Sequence, residues 1–145
     1  MSDPIPVPPA IGLSEMVLEV AKLAVSERFY AEDLGLPVVH RWEDERPATW
    51  LGLGGGSFLG LWPVETGGTA AIHGARGGAH VHFAIRVPHG TLAAMQQRLE
   101  SLGHEVEGNH EHGPGNLAIY LTDPDGHEVE ITELATLWGG TPTER

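Results

Sequence analysis

The sequence predicts an α+β domain built from two βαβββ modules, whose strands form one curved mixed sheet around a cup-shaped cavity. Three observations predict it. Short runs alternate apolar and polar residues with the two-residue period of half-buried strands. Two stretches carry apolar residues at helical spacing and end at a glycine, Gly35 and Gly103. The pattern then repeats: strand, helix and three strands recur in order, with 20 residues from Glu15 to Gly35 and 21 from His82 to Gly103.

Residues 1–13 are proline-rich and read as an extended N-terminal arm. A single domain is expected over 14–133, with a first module at 14–62, a glycine-rich linker at 63–79 and a second module at 80–133. Residues 134–145 form a tail in which Trp138 is expected to cover an apolar patch. In the first module Met16, Leu18 and Val20 share one strand face, and Glu15, Val17 and Glu19 share the other. A helix over Lys22–Asp33 follows, with Leu23, Tyr30 and Leu34 on its stripe. Strands are predicted at Pro37–Trp42, Thr49–Leu53 and Phe58–Trp62, the last two joined by Gly54-Gly-Gly56.

The second module opens with His80–Val87, which turns Val81, Phe83, Ile85 and Val87 inward and His80, His82, Ala84 and Arg86 outward. Leu92, Met95, Leu99 and Leu102 mark its helix, and His104–Glu107 begins the next strand. The closing hairpin is the clearest signal in the chain. Asp123-Pro-Asp-Gly126 places Pro where a turn fixes φ and Gly where a positive φ is needed. Leu117, Ile119 and Leu121 alternate before it, and Val129 and Ile131 after it. The opposite face of that hairpin carries Tyr120 and Glu130, a phenol and a carboxylate on one surface.

Composition narrows the function. Hydrophobic residues make up 41% and charged residues 19%, ordinary values for a soluble protein, and no run approaches a membrane span. The start lacks the basic and apolar regions of a signal peptide, so a cytoplasmic location is expected. With no cysteine, disulfides, thiolate chemistry and cysteine-ligated zinc are excluded. A net charge of −12 argues against nucleic acid or an anionic membrane as partner.

Burying both helices against one sheet face leaves the other face as the wall of the cup. The alternation puts Glu15, Glu19, Trp50, Phe58, Trp62, His82, Arg86, Tyr120, Glu128 and Glu130 on it. Aromatic groups with a few converging polar ones suit a small-molecule site, with Trp50, Phe58, Trp62, Arg86 and Tyr120 as its pocket. Two alternatives stand beside this. Trp50, Phe58 and Trp62 could instead pack a subunit interface, and an ion pair from Arg86 to Glu19 or Glu15 would satisfy those charges. His40, His73, His89, His104, His110 and His127 read as surface loop residues, and His80 as an edge or linker-facing one.

Arg28-Phe-Tyr30 with Asp33-Leu-Gly35, His82-Phe-Ala-Ile-Arg-Val87, and Tyr120 through Asp123-Pro-Asp-Gly-His-Glu-Val-Glu130 resemble the vicinal oxygen chelate superfamily. That superfamily includes glyoxalase I, fosfomycin-resistance enzymes, extradiol dioxygenases and bleomycin-resistance proteins. The resemblance covers residues 14–132. It implies metal ligands at the start of each module's first strand and on the last strand of the second: Glu15, His82 and Glu130. His82 and Glu130 match, whereas Glu15 stands where the fosfomycin-resistance and extradiol branches have His. Glyoxalase I has a fourth ligand where this chain has Gly60.

Glu15, His82 and Glu130 would suit a divalent ion such as Mn²⁺, Fe²⁺, Zn²⁺ or Ni²⁺. The activity implied is a metal-dependent lyase or dioxygenase that chelates vicinal oxygens of a small-molecule substrate. Glu130 and Tyr120 would act on the substrate, Tyr120 by orienting or protonating it, and His112 is an acid/base candidate from its loop position. The alternative is a metal-free binding protein of the bleomycin-resistance kind. A homodimer is implied by resemblance as well.

Overall fold

The computed structural model describes residues 13, 15–66, 81–111 and 117–133. Most of the N-terminal arm and of the glycine-rich linker, the tail with Trp138, and His73, His80 and His112 lie outside them. The first module runs β1 (Glu15–Val20), α1 (Leu23–Arg28), β2 (Val38–Trp42), β3 (Ala48–Gly54) and β4 (Ser57–Pro63). The second runs β5 (His82–Arg86), α2 (Leu92–Ser101), β6 (Glu107–Glu111), β7 (Leu117–Thr122) and β8 (Glu128–Thr132). Each module's strands form a four-stranded mixed sheet, in the orders β1-β4-β3-β2 and β5-β8-β7-β6. The predicted βαβββ repeat is therefore the architecture of the molecule.

The registers of the two sheets correspond. β1 runs parallel to β4 with Glu15 beside Phe58 and Val17 beside Gly60. β5 runs parallel to β8 with His82 beside Glu128 and Ala84 beside Glu130. Glu15 and His82 thus hold equivalent positions, and so do Gly60 and Glu130.

The core forms where period-two strands meet helical stripes. Leu18, Val20, Leu51, Leu59 and Leu61 from the first sheet are buried, as are Ile119, Leu121, Val129 and Ile131 from the second. The helix expected over Lys22–Asp33 is α-helical only to Arg28 and continues as a wider π turn over Phe29–Asp33. The widening, seen in the bond from Leu34 N to Phe29 O, brings the adjacent Phe29 and Tyr30 both into the core. A straight α-helix would aim two neighbouring side chains about 100° apart. Leu36 N then donates to Tyr30 O around Gly35, whose φ of 77° ends the helix.

Two other expectations shift. β6 starts at Glu107 instead of His104, because His104 turns back to bond Asp33 at 2.7 Å and packs edge-on against Phe29. His127, expected on the surface, is buried. Its Nδ1 accepts from Val81 N at 3.1 Å, so its Nε2 carries the proton and donates to Glu19 O, also at 3.1 Å. That imidazole fastens the end of β1 to the start of β5.

The modules also meet at the turn between β7 and β8. Tyr30 donates its hydroxyl to Asp123 at 2.7 Å, while Asp125 accepts from Ala21 N at 2.8 Å and from the Ser26 hydroxyl at 3.1 Å. Burial, with Asp123 beside it, pushes the Tyr30 phenol far above its ordinary range, so it is always a donor here.

Candidate functional site

The residues singled out in the sequence fall on two walls. On the first sheet, β1, β4 and β3 bring Glu15, Trp62 and Trp50 to one face, and Trp50 Nε1 donates to Glu15 Oε1 at 2.7 Å. Trp50 and Trp62 stand with ring centroids 6.3 Å apart. Phe58, beside Glu15, is exposed. Trp42 joins edge-on at 4.7 Å from Trp50, with His40 at 5.7 Å. Neither Trp42 nor His40 was assigned to this wall from sequence. The signal was present, since β2 is antiparallel to β3 with His40 beside Trp50.

Gly60 lies under this aromatic wall. A Cβ there would sit 3.2 Å from the Nε1 of both Trp50 and Trp62 and 3.3 Å from Val17 Cγ2. The place of a fourth metal ligand is taken by two indole edges, which need a residue without a side chain beneath them.

On the second sheet β5, β8 and β7 align His82, Glu128, Glu130 and Tyr120. His82 Nδ1 lies 3.3 Å from Glu128 Oε2, and its Nε2 lies 3.2 Å from Glu130 Oε2. Tyr120 stacks beside His82 with centroids 6.2 Å apart and hydrogen-bonds Glu130. Burial, reinforced by the charge of Glu130, raises the Tyr120 pKa, so this phenol keeps its proton at neutral pH.

β6 adds His110, edge-on to Tyr120 at 5.3 Å and 2.9 Å from Glu107. Sequence reasoning missed both, because the register of β6 on β7 shifts between Glu107 and His110 and breaks the alternation. An open hollow of about 600 Å³ beside them is lined by Glu105, Glu107, Tyr120 and Glu128. Three carboxylates against two imidazoles make this wall attractive to cations.

The three residues expected to share one ion divide between the walls. His82 and Glu130 are brought together on the second sheet; Glu15 is on the first, held by Trp50. Among the described residues no three His, Asp or Glu side chains gather as a metal-holding group. Arg86, exposed on β5, makes no ion pair with Glu15 or Glu19 among the described residues; it borders a cavity between the modules. His112 lies in the segment 112–116, outside the described residues.

With two βαβββ modules and this wall established, comparison with known proteins is decisive. The profile of the Glyoxalase-like domain family matches residues 15–132. The chain belongs to that family.

Solved structures share the fold of this glyoxalase-like domain. An integron cassette protein from the mobile metagenome of Halifax Harbour Sewage Outfall is 26% identical. That match covers 86% of this chain and 100% of the other, with a TM-score of 0.71. Lactoylglutathione lyase from Agrobacterium tumefaciens is 23% identical over 86% of this chain and 94% of its own, again with a TM-score of 0.71. A mutant of the fosfomycin resistance protein FosX from Listeria monocytogenes, complexed with Mn(II) and 1S,2S-dihydroxypropylphosphonic acid, is 18% identical. It covers 86% of this chain and 94% of its own, with a TM-score of 0.63. No curated protein matches the chain by sequence. No helix among the described residues of the glyoxalase-like domain is long and apolar enough to cross a membrane.

Proposed function

We propose that the chain is a metal-dependent small-molecule enzyme of the vicinal oxygen chelate type. The observation that carries this reading is the setting of His82. One ring nitrogen faces Glu128 and the other faces Glu130. A histidine ligand commonly has its second nitrogen oriented by a carboxylate, the role Glu128 fits, leaving Nε2 and Glu130 to hold the ion. The ion would supply Lewis-acid stabilisation to an oxyanion developing on an oxygenated substrate. Tyr120, protonated and stacked beside His82, orients that oxygen or gives it a proton. His112 is proposed as a further acid/base group. Glu15 would complete the ligand set on release from Trp50. Because it stands on the other wall, a homodimer that sets one subunit's first sheet against the partner's second would bring the three together.

A second reading has its own support. Trp50 and Trp62 converge over Gly60, with Trp42 edge-on to Trp50, and such a surface suits stacking of a planar ligand in a metal-free binding protein.

Metal analysis of protein purified without chelator or His-tag separates the two. The enzyme reading expects about one equivalent of transition metal per subunit, as one site holds one ion. It also expects loss of that metal in His82→Ala and Glu15→Ala. Protein that takes up no Mn²⁺, Fe²⁺ or Zn²⁺ on loading would overturn the enzyme reading and turn the search to ligands that quench the tryptophans.

A further inference from the structure

The two halves repeat, but the two junctions between them are filled differently. At one, the turn Asp123–Gly126 sends Asp123 and Asp125 into the first module, where Tyr30, Ser26 and Ala21 N bond them. At the other, the equivalent turn is Gly54-Gly-Gly56, which has no side chain to send. A Cβ built at Gly54 would meet nothing within 4 Å. An apolar cavity of about 360 Å³ lies beside this turn, bordered by Leu36, Leu53, Ile85, Val87 and Met95. Its size falls within the roughly 300–1,000 Å³ common for small-ligand sites.

The lining selects a chemistry. Every described residue on it is apolar and non-aromatic except Arg86, so it offers no ring to stack on and no side chain to bond a hydroxyl. Arg86 is exposed at the end of β5, and no carboxylate pairs with it among the described residues. Glu133, which follows the neighbouring strand β8, is engaged elsewhere: it accepts from Leu92 N at 2.7 Å and lies 3.5 Å from His89. In a chain of net charge −12, a guanidinium beside an apolar hollow marks the place of an anion.

We propose that this cavity binds a medium-chain alkyl carboxylate, with its chain inside and its carboxylate paired with Arg86. At about 30 Å³ for each water-sized group, a hollow of 360 Å³ holds about twelve, which is an acid of about eight to ten carbons. The chain leaves water for a hollow that lacks contacts, and the planar guanidinium meets the carboxylate as a fork. The first module supplies Leu36 and Leu53, and the second supplies Ile85, Val87 and Met95. A bound chain therefore holds one module to the next, as Asp123 and Asp125 do at the other junction. This inference stands apart from the metal reading and survives its failure.

The test adds octanoate to the full chain carrying methyl-labelled methionine, with octanol as the uncharged probe of equal length. The sequence has three methionines, and Met95 borders the cavity. Octanoate is expected to shift the Met95 methyl resonance and to bind once per chain by calorimetry, with or without chelator. Arg86→Ala, at an exposed position, is expected to weaken octanoate about tenfold, the scale of a charge-assisted bond, and to leave octanol unchanged. Met95→Trp fills the cavity and is expected to abolish binding of both. Arg86→Ala decides the matter even where Met95→Trp fails to fold. A Met95 methyl that does not move at millimolar octanoate would overturn the proposal. So would octanoate bound equally by wild type and Arg86→Ala, or binding lost with chelator, which would put the carboxylate on a metal.

Discussion

At Gly60 a single methyl group would have to displace two indoles. Both Trp Nε1 atoms lie 3.2 Å from where the Cβ would stand, and neither ring can retreat freely, since Trp62 is buried and Trp50 is held by Glu15. Gly60→Ala should therefore cost about 1–3 kcal/mol, the usual penalty for overpacking, and shift the tryptophan emission. Unchanged stability and emission would mean the indoles do not converge there. Tyr30 makes the opposite test, the loss of a buried bond. Tyr30→Phe strips the Asp123 carboxylate of a donor at a buried site and should cost about 1–3 kcal/mol.

Glu133 shows how a single carboxylate makes stability depend on pH. The Leu92 N–H it accepts from holds its pKa below the ordinary 4.5, against the opposing pull of burial. A depressed folded pKa gives stability that is complete above the unfolded value. That stability is lost as pH falls through the folded value. Thermal unfolding followed between about pH 3 and pH 7, a range spanning the carboxylate values, should lose stability on the acid side. Glu133→Gln should flatten that slope; an identical slope in the variant would assign the loss to other carboxylates.

Elements were legible where burial is local. The hairpin β7–β8, β1, and the apolar stripe of α2 follow from periods of two and 3.6 residues, and both helix-ending glycines were readable from sequence. Gly35 tests this at its purest, because nothing lies within 4 Å of a Cβ added there. Gly35→Ala should cost about 1–2 kcal/mol from the left-handed backbone alone, and Gly35→Asn less, as denaturant midpoints would show. Illegible features depend on distant partners. His127 and His104 are polar residues near glycines, which reads as surface, yet their partners Glu19 and Asp33 lie 108 and 71 residues away. The π turn likewise answers to the second module, where Tyr30 must meet Asp123.

At the scale of the molecule, the sequence carries no distance between walls. It placed Glu15 and His82 at equivalent strand positions, and the registers agree, but equivalence within a repeat does not bring two side chains together. How the sheets face one another is set by junction contacts that no periodicity encodes. The family and its twofold module were readable; the division of Glu15 from His82 and Glu130 between two walls was not.

The His127 clamp bears on covalent continuity. Its two ring nitrogens bond Glu19 O in the first module and Val81 N in the second, while Asp123 and Asp125 add three more cross-links of the same kind. The peptide between residues 66 and 81 therefore bridges two bodies already joined by other means. Expressed as separate polypeptides broken within that stretch, the halves should find each other and elute as one species. His127→Ala should weaken that reunion first.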